Sequence, residues 1–320
     1  MRLAYIFLPL PGQSQKRNRA KKDSILVHSE AIVLKPMNQL NTSAREVNLC
    51  ITPDGQCLLF MSGRGQMPWS NNRYTIHNGK EEADGDIWFT FKDEKGAWKK
   101  PEVAHSISTS NGEDEPNISP DMLYLYFQSW RDNWETSGGP YYRLPLLQEG
   151  KDLQIEGLGG GLTTFFQTIA ASGTGLATDG ATLSPDGNTF IFAFGQNYSG
   201  QMDLYLARRQ EATGIWEEPK KMALSTPQDE RNPFLAGDGK TLYFVSDGYT
   251  SRGGLDIFMT TLQPDGTTGQ VFNIGAPFNS HQHEEGFVIP RHGKEAFLVR
   301  EGDIYHVELT KKAAALKPAP

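Results

Sequence analysis

The sequence lacks the charge pattern and the short motifs that mark several common classes of protein. Its 31 Lys and Arg residues are outnumbered by 38 Asp and Glu, so no basic excess points to nucleic-acid binding. The short basic run at 16–22 predicts a solvated tail. No Gly-x-Ser-x-Gly elbow occurs. The Gly-rich run at 157–161 lacks the Lys-Ser/Thr of a phosphate loop and is not predicted to open a helix.

Cysteine is scarce, with Cys50 and Cys57 as the two examples. They flank a predicted turn on adjacent strands of one hairpin, where a disulfide would need demanding geometry. Two buried free thiols that pack as small apolar side chains are the favoured alternative. Neither residue has the spacing to His or Cys that a metal site or a catalytic cysteine requires.

Long apolar runs and long helical periodicity are also lacking. No segment is long enough to span a bilayer as a helix. The apolar run at 3–10 is short for the core of a signal peptide, and no clear small-residue cleavage site follows it. Residues 1–29 are therefore described as a tail or a weak export signal.

What the sequence contains instead is a repeated phrase, a tight turn followed by an apolar strand. Pro presets the backbone at the turn, Asp accepts local hydrogen bonds and Gly takes a positive φ at low cost. The β-branched and aromatic residues after each turn favour buried strands. Copies of the phrase begin at Thr52, Ser119, Ser184 and Gly237, and a degenerate copy begins at Arg291.

A second phrase follows each turn and predicts a third strand. It joins an acidic, an aliphatic and an aromatic residue at Asp86, Asp203, Asp256 and Asp303, and the second repeat has 140–142 there instead. Trp98 and Trp216 begin similar fourth-strand segments. A repeat of four strands cannot bury its apolar faces alone and needs neighbouring repeats, so this pattern predicts a β-propeller. Five blades are favoured over six.

The ends of the repeat region predict a closed ring. The last repeat supplies three strands and then stops, whereas the apolar segment at 31–36 is a strand without a partner. This N-terminal strand is predicted to complete the last blade and so remove the open edges. The chain is thus an all-β protein with one propeller at 30–310 and a disordered tail at 311–320.

The repeat resembles the WD-like propeller repeats of the TolB type, most clearly at 229–258. The resemblance covers roughly 30–310 and is closest to the version found in bacterial envelope proteins. It implies a periplasmic or envelope location, with the cytoplasm as the alternative, and it leaves the function open because the family has many roles. The OmpA-like peptidoglycan-binding domain that accompanies some of these repeats is not among these 320 residues, so no such anchoring is expected from them.

Carboxylates recur eight residues before the turn Asp, at the predicted start of each first strand. The series comprises Glu46, Glu113, Glu230 and Glu284, and blade 3 has Thr178 beside Asp179. First strands of a propeller begin close to its channel, so an acidic ring could bind a cation or a cationic ligand group. The favoured alternative is that each Glu accepts backbone hydrogen bonds as a structural lock. No other cofactor is expected.

Two further groups are candidates for ligand binding. Aromatic residues in long or irregular inter-strand segments would suit stacking on sugars or gripping a peptide, with blade packing as the alternative; they are Trp69, Tyr74, Trp130, Trp134, Tyr141, Tyr142 and Tyr198. His281 and His283 have a spacing compatible with metal binding, but they lie in a predicted inter-blade loop without a third ligand, so no metal site is expected.

These observations favour a non-catalytic binding or scaffolding propeller with a protein or glycan partner at the loop face and the channel mouth. We expect a monomer that does not bind nucleic acid and that has no transmembrane segment. The leading alternative is a carbohydrate-active enzyme, a glycosidase or polysaccharide lyase, which needs two convergent carboxylates. A cytoplasmic interaction propeller is the third reading.

Overall fold

Five sheets, each containing four antiparallel strands, surround a common axis. The computed structural model describes residues 24–26, 32–64, 74–77, 80–83, 85–147, 154–198 and 200–309. The first strand of each blade contacts the first strand of the next, and that of blade 5 contacts that of blade 1. The prediction of an all-β, five-bladed propeller is therefore confirmed.

The strands follow one another along the chain in blade order. Two short strands come first, β1 (Ser24–Ile25) and β2 (Leu34–Pro36). Blade 1 contains β3 (Glu46–Ile51), β4 (Cys57–Ser62), the separate hairpin β5 (Tyr74–His77) and β6 (Lys80–Ala83), then β7 (Asp86–Phe91) and β8 (Glu102–Val103). Blade 2 contains β9 (Glu113–Ile118), β10 (Tyr124–Ser129), β11 (Tyr141–Pro145) and β12 (Glu156–Gly157).

A helix separates the second blade from the remaining three. This helix is α1 (Gly160–Ala171). Blade 3 contains β13 (Ala177–Leu183), β14 (Thr189–Gly195), β15 (Asp203–Arg208) and β16 (Lys220–Lys221). Blade 4 contains β17 (Glu230–Leu235), β18 (Thr241–Ser246), β19 (Asp256–Thr261) and β20 (Phe272–Asn273), and blade 5 contains β21 (Glu284–Val288), β22 (Glu295–Arg300) and β23 (Asp303–Glu308).

The N-terminal strand closes the ring, as predicted. β2 pairs antiparallel with β23, with Leu34 opposite Val307 and Pro36 opposite Tyr305. β1 pairs parallel with β20 and adds a fifth strand to blade 4. The chain thus contacts the propeller from Ser24, within the segment that the sequence assigned to a tail, and covers the outer edges of two blades.

Every first strand contains a β-bulge near its start, where the register against the second strand shifts. Four bulge residues have left-handed backbone, with φ of 52° at Asn48, 54° at Glu115, 95° at Gly180 and 46° at Asn232. A bulge re-aims the side chains beside it. We call the face where the first strands begin the loop face, and the face with the turns after them the turn face.

Helix α1 corrects one prediction, because the Gly-rich run at 157–161 does open a helix. An added Cβ at Gly161 would lie 2.2 Å from the backbone N of Glu218, so the first turn needs glycine to approach blade 3. Phe166 of α1 is fully buried, and its ring centroid lies 5.5 Å from that of Phe192 and 5.9 Å from that of Tyr141. The helix therefore fills the space between blades 2 and 3 with aromatic side chains.

The turn face shows why four of the five turns contain glycine. Gly55, Gly187, Gly239 and Gly293 have φ between 66° and 73°. Met122 takes this position in blade 2 with φ of 59°, and its side chain is 38% exposed. A side chain in left-handed backbone meets steric strain that glycine avoids, and little packing offsets the strain here.

The seam between blades 5 and 1 contains a partly buried ion network. Glu295 Oε1 lies 2.7 Å from Lys92 Nζ of blade 1, and Glu295 Oε2 lies 2.9 Å from His306 Nε2 of its own blade. Burial alone would raise the pKa of Glu295, but the hydrogen bonds from His306 and Lys92 and their charges outweigh it and lower the pKa to about 2. The network joins the two blades at which the ring closes.

Replacing Met122 with Gly should stabilise the protein by about 0.5–1 kcal/mol, because relief of left-handed strain exceeds the added entropy of the unfolded chain. Urea unfolding at neutral pH would measure the change. Met122→Ala is the matched control, since it keeps a Cβ in the same backbone, and it should give no gain. A loss of stability in Met122→Gly would contradict the assignment of strain.

The Glu295 network should make ring stability depend on pH in the acid range. A carboxylate whose pKa is lower in the folded state than in the unfolded state stabilises the fold at pH values above the unfolded-state pKa. This contribution is lost as the pH falls towards the folded-state pKa of about 2. The stability advantage of wild type over Glu295→Gln should therefore shrink by about 3 kcal/mol between pH 5 and pH 2.

Thermal unfolding across this pH range would measure the difference. The control is Glu308→Gln, which removes a carboxylate that is 75% exposed on the same blade and pairs with the exposed Lys35. Such surface pairs contribute little, so the control should follow the wild-type pH profile. A pH-independent difference between wild type and Glu295→Gln would refute the proposed role of the network.

Candidate functional site

The four Glu residues of the repeated series lie at the first position of a first strand, as predicted, and each is 0% exposed. Their carboxylates point into the blade. Each accepts a hydrogen bond from the backbone N–H and another from the hydroxyl of the residue four positions earlier, at 2.6–3.1 Å. These donors are Thr42, Thr109, Thr226 and Ser280.

The second strand supplies the remaining partners of each carboxylate. Ser62, Ser129 and Ser246 donate their hydroxyls to Glu46, Glu113 and Glu230 at 2.7–3.1 Å. Glu284 instead accepts from Arg300 Nε at 2.7 Å. These contacts favour the structural lock over the acidic ring, and ligand binding by the series stays a prediction.

Burial raises the pKa of all four carboxyls, and hydrogen bonds and nearby Arg charges counteract it to different extents. Glu46, Glu113 and Glu284 each form an ion pair with an Arg. Among the described residues no Arg pairs with Glu230, whose pKa rises to about 7.

The residues that reach the axis lie two positions after the series. They line a narrow axial cavity together with their neighbours, and they are Asn48, Glu115, Gly180, Asn232 and Gly286. Sequence spacing missed them because the bulge turns the chain between the two positions. Three of these five residues are not glycine and nevertheless have a positive φ. This feature is visible in the structure, but no sequence motif corresponds to it.

Each charged residue one position after the series has a polar or charged partner. Asn48 Nδ2 donates to both carboxylate oxygens of Asp114 at 2.8 Å. Arg231 pairs with Asp179 and Asp229, at 2.8 Å in each case. Arg45 pairs with Glu285 at 2.7 Å. The loop-face end of the channel is thus closed by internal ion pairs and hydrogen bonds.

Four of the predicted loop aromatics pack within the protein. Tyr141 and Tyr142 lie on β11 rather than in a loop, and they are 2% and 1% exposed. Trp130 and Trp134 lie between β10 and β11, as predicted, and Trp134 is buried. Trp130 is half-buried, and its ring contacts Trp134 and Phe166 at centroid distances of 5.4 and 5.8 Å. Their apolar surface fills the space around α1.

Some of the predicted residues fall outside this aromatic core. Trp69 lies outside the described residues, as does the side chain of Tyr74. Tyr198 is 39% exposed on the loop face.

The favoured prediction of two free, buried cysteines agrees with the described structure, and the two histidines lie in the loop before β21. Cys50 and Cys57 are free and buried, and burial raises the pKa of each thiol to about 12. His283 Nδ1 accepts from the backbone N of Leu255, and His281 Nδ1 contacts Arg252 O. Within the described part of the chain, no group of three or more His, Cys, Asp or Glu could hold a metal ion.

A concave site on the loop face is a groove between blades 3 and 4 with a volume of about 410 Å³. We call it the 3/4 groove. Its walls combine aromatic rings, amide side chains and one ion pair, contributed by Phe194, Gly195, Gln196, Asn197, Gly200, Gln201, Asp203, Tyr205, Lys221, Thr226 and Pro227. The volume is in the range of small-molecule and glycan sites.

Asp203 and Lys221 form the ion pair of this groove. Asp203 Oδ2 accepts from Lys221 Nζ at 2.7 Å, whereas Asp203 Oδ1 is buried and has no hydrogen-bond partner in the described structure. The polar residues between β14 and β15 were the available hint to this groove.

Comparison with protein-family models and with curated proteins finds no match. Among solved structures, a protein described as TolB from Agrobacterium tumefaciens is similar over 88% of this chain and 85% of its own, with 15% identity and a TM-score of 0.47. TolB from Acinetobacter baumannii is similar over 84% of this chain and 56% of its own, with 15% identity and a TM-score of 0.45.

A gluconolactonase from Xanthomonas campestris is similar over 87% of this chain and 90% of its own, with 12% identity and a TM-score of 0.43. At these TM-scores the likenesses carry no argument about function, and the fold rests on the sheets of this chain. No helix in the described ranges has the length and apolar character needed to cross a membrane.

If the Glu series is a structural lock, replacing one of its residues with Ala should lower the free energy of unfolding. The size of the loss should depend on which hydrogen-bond donors then lack a carboxylate partner. Glu284→Ala leaves the partly buried Arg300 without its carboxylate and should lower the free energy of unfolding by about 3–5 kcal/mol. Glu230→Ala leaves uncharged donors and should cost about 1–3 kcal/mol. Urea unfolding at pH 7 would measure both. Wild-type stability in both variants would instead favour a ligand-binding role.

Proposed function

We propose that this chain is a non-catalytic binding propeller whose ligand occupies the 3/4 groove on the loop face. The observation that carries the proposal is the ion pair of Asp203 with the half-exposed Lys221 beside the aromatic wall of a groove of about 410 Å³. An ionised carboxylate can accept several hydrogen bonds, and Asp203 Oδ2 accepts one from Lys221 Nζ.

The chemistry of the groove favours a glycan. Tyr205 offers a partly exposed ring, against which the buried Phe194 packs, while Gln196 and Gln201 offer exposed amides. Sugar rings present apolar faces for stacking and hydroxyl groups for carboxylate and amide partners. A peptide with exposed amides is the other ligand class of the prediction, and it is one outcome of the experiment below.

The carboxyls with raised pKa support a binding role over catalysis. A general acid of a glycosidase needs a raised pKa and contact with the glycosidic oxygen. Glu115 and Glu230 have pKa values raised to about 8 and about 7, but burial is the main cause. Both side chains are fully enclosed, and the cavity at Glu115 has only about 10 Å³, too little for a sugar ring.

The proposed location is the bacterial cell envelope. This part of the proposal rests on the resemblance of the repeat to TolB-type envelope propellers. The cytoplasm remains the alternative, and fractionation of cells that express the full chain would distinguish the two.

Substitution of Asp203 should weaken ligand binding without loss of fold. Wild type and Asp203→Asn would be compared on an oligosaccharide panel by isothermal titration calorimetry, and by retention of proteins from envelope extract. We expect at least about tenfold weaker binding in the variant, or ~1.4 kcal/mol. Asp303→Asn is the matched control, because Asp303 begins the third strand of blade 5 outside the groove, and it should bind as wild type does.

The outcomes separate the alternatives. A glycan retained by wild type and by Asp303→Asn, and lost from Asp203→Asn, would support the groove. A protein held with the same pattern would keep the groove and assign it to a peptide ligand. Equal binding by all three forms would place the ligand elsewhere. Turnover of any oligosaccharide would overturn the non-catalytic proposal.

A further inference from the structure

The turn face has a groove of its own, between the first hairpins of blades 4 and 5. We call it the 4/5 groove. Its volume is about 360 Å³, near the lower end of the range of small-molecule sites. Much of its wall is apolar and is contributed by Ala236, Tyr243, Ile289, Pro290 and Leu309. The groove therefore has the size and the apolar lining of a site for a small molecule.

Most polar side chains of the 4/5 groove are used within their own turns. Asp238 Oδ1 accepts from two backbone N–H groups of its turn, and Asp238 Oδ2 accepts from the hydroxyl of Thr241 at 2.8 Å. His292 Nδ1 accepts from the backbone N of Lys294, and His292 Nε2 lies 3.4 Å from Glu295 Oε1. These groups hold the two turns in shape.

Two hydrogen-bond donors of the groove are not used in this way. Within the described residues, neither the guanidinium of Arg291 nor the hydroxyl of Tyr243 has a hydrogen-bond or ion-pair partner. Tyr243 is 4% exposed. Burial raises its pKa, and the charge of Asp238 raises it further, so the hydroxyl stays protonated and can donate. Because the guanidinium is always charged, the ligand that suits these donors is an anion.

Comparison of the blades shows that the turn itself does not need Arg291. All five turns contain the same backbone hydrogen bond, and Gly293 N donates to Pro290 O as Gly55 N donates to Thr52 O. On this alignment Arg291 takes a position that is proline in three blades and glycine in the fourth, at Pro53, Pro120, Pro185 and Gly237. The charged side chain is thus a departure of blade 5 from the repeat.

The glycine of blade 4 makes room for this arginine. An added Cβ at Gly237 would lie 3.3 Å from Cγ of Arg291 and 3.5 Å from its Cβ. Gly237 does not have a positive φ, so its backbone conformation does not account for the glycine. The backbone N of Arg291 donates to Pro53 O at 3.0 Å, which ties its main chain to blade 1. Two blades therefore depart from the repeat together, and the result is one positioned cation at the groove.

We propose that the 4/5 groove binds a small organic carboxylate with an apolar body. Arg291 and Tyr243 donate to the carboxylate, and the apolar body packs against Ile289 and Leu309. The planar guanidinium matches the two oxygens of a carboxylate. Inorganic phosphate would leave the apolar wall exposed to water, so a ligand with a hydrocarbon body is favoured over a bare anion. The site lies on the turn face and is independent of the 3/4 groove.

Ligand-observed NMR titration of the whole protein at pH 7.5 tests this proposal. The probes are hexanoate, 4-phenylbutanoate and indole-3-acetate, each compared with its own primary amide. We expect a Kd of about 1 mM or below for at least one carboxylate. Its amide should bind at least about tenfold more weakly, because the charge-assisted hydrogen bonds are lost.

Two variants locate the carboxylate. Arg291→Gln removes the charge and should weaken binding at least about tenfold. Tyr243→Phe keeps the ring and should weaken binding about threefold or more, with an unchanged Tm because the hydroxyl has no protein partner to lose. Lys294→Gln is the matched control, because it makes the same change of charge on the same turn at an exposed residue outside the groove lining. It should bind as wild type does, and so should Asp203→Asn.

Three results would overturn the proposal. Equal affinity for a carboxylate and its amide, or no binding of any probe, would leave Arg291 without a ligand role. Equal weakening in Arg291→Gln and Lys294→Gln would show only a general effect of charge. Binding of the peptide acetyl-Ala-Ala-Phe with a free C-terminal carboxylate, without binding of the small carboxylates, would assign the groove to a protein chain end instead.

Discussion

The buried carboxylate at the start of a first strand is the interaction on which four of the five blades depend. It satisfies the backbone N–H and hydroxyl of the incoming loop and a donor of the second strand at once. One side chain therefore fixes where the chain enters a blade and how the first hairpin is aligned. An unpaired carboxylate at 0% exposure would be strongly unfavourable. The hydrogen bonds and the burial are therefore mutually dependent.

The fold was predictable because its determinants are local and repeated. Each copy of the turn-and-strand phrase independently indicates one blade of the same type. Strand β2 was identifiable because it is a predicted strand without a neighbour in the sequence. Helix α1 was missed because its apolar side chains pack between two blades and its start is set by the close approach of Gly161 to Glu218. No periodic pattern in the sequence records an approach between residues so far apart in the chain.

The candidate sites were less predictable, since they depend on geometry that the repeat does not encode. The bulge moves the axial position from Glu113 to Glu115, and residue spacing alone cannot locate that shift. The 3/4 groove is formed by two loops and an outer strand that meet only in the folded ring. Trp130 and Tyr141 pack against Phe166 of α1, and because this helix was not predicted, their packing could not be predicted either.

The pairing of β2 with β23 also sets an order of events during synthesis. Apart from β1, the outer strand of blade 5 leaves the ribosome before any other part of the propeller ring, and its partner is among the last segments of that ring to be made. Until then β2 is an unpaired edge that can associate with other chains. The propeller region as a whole must therefore be synthesised before its ring can close, so an incompletely translated chain leaves at least one open blade exposed to misassembly.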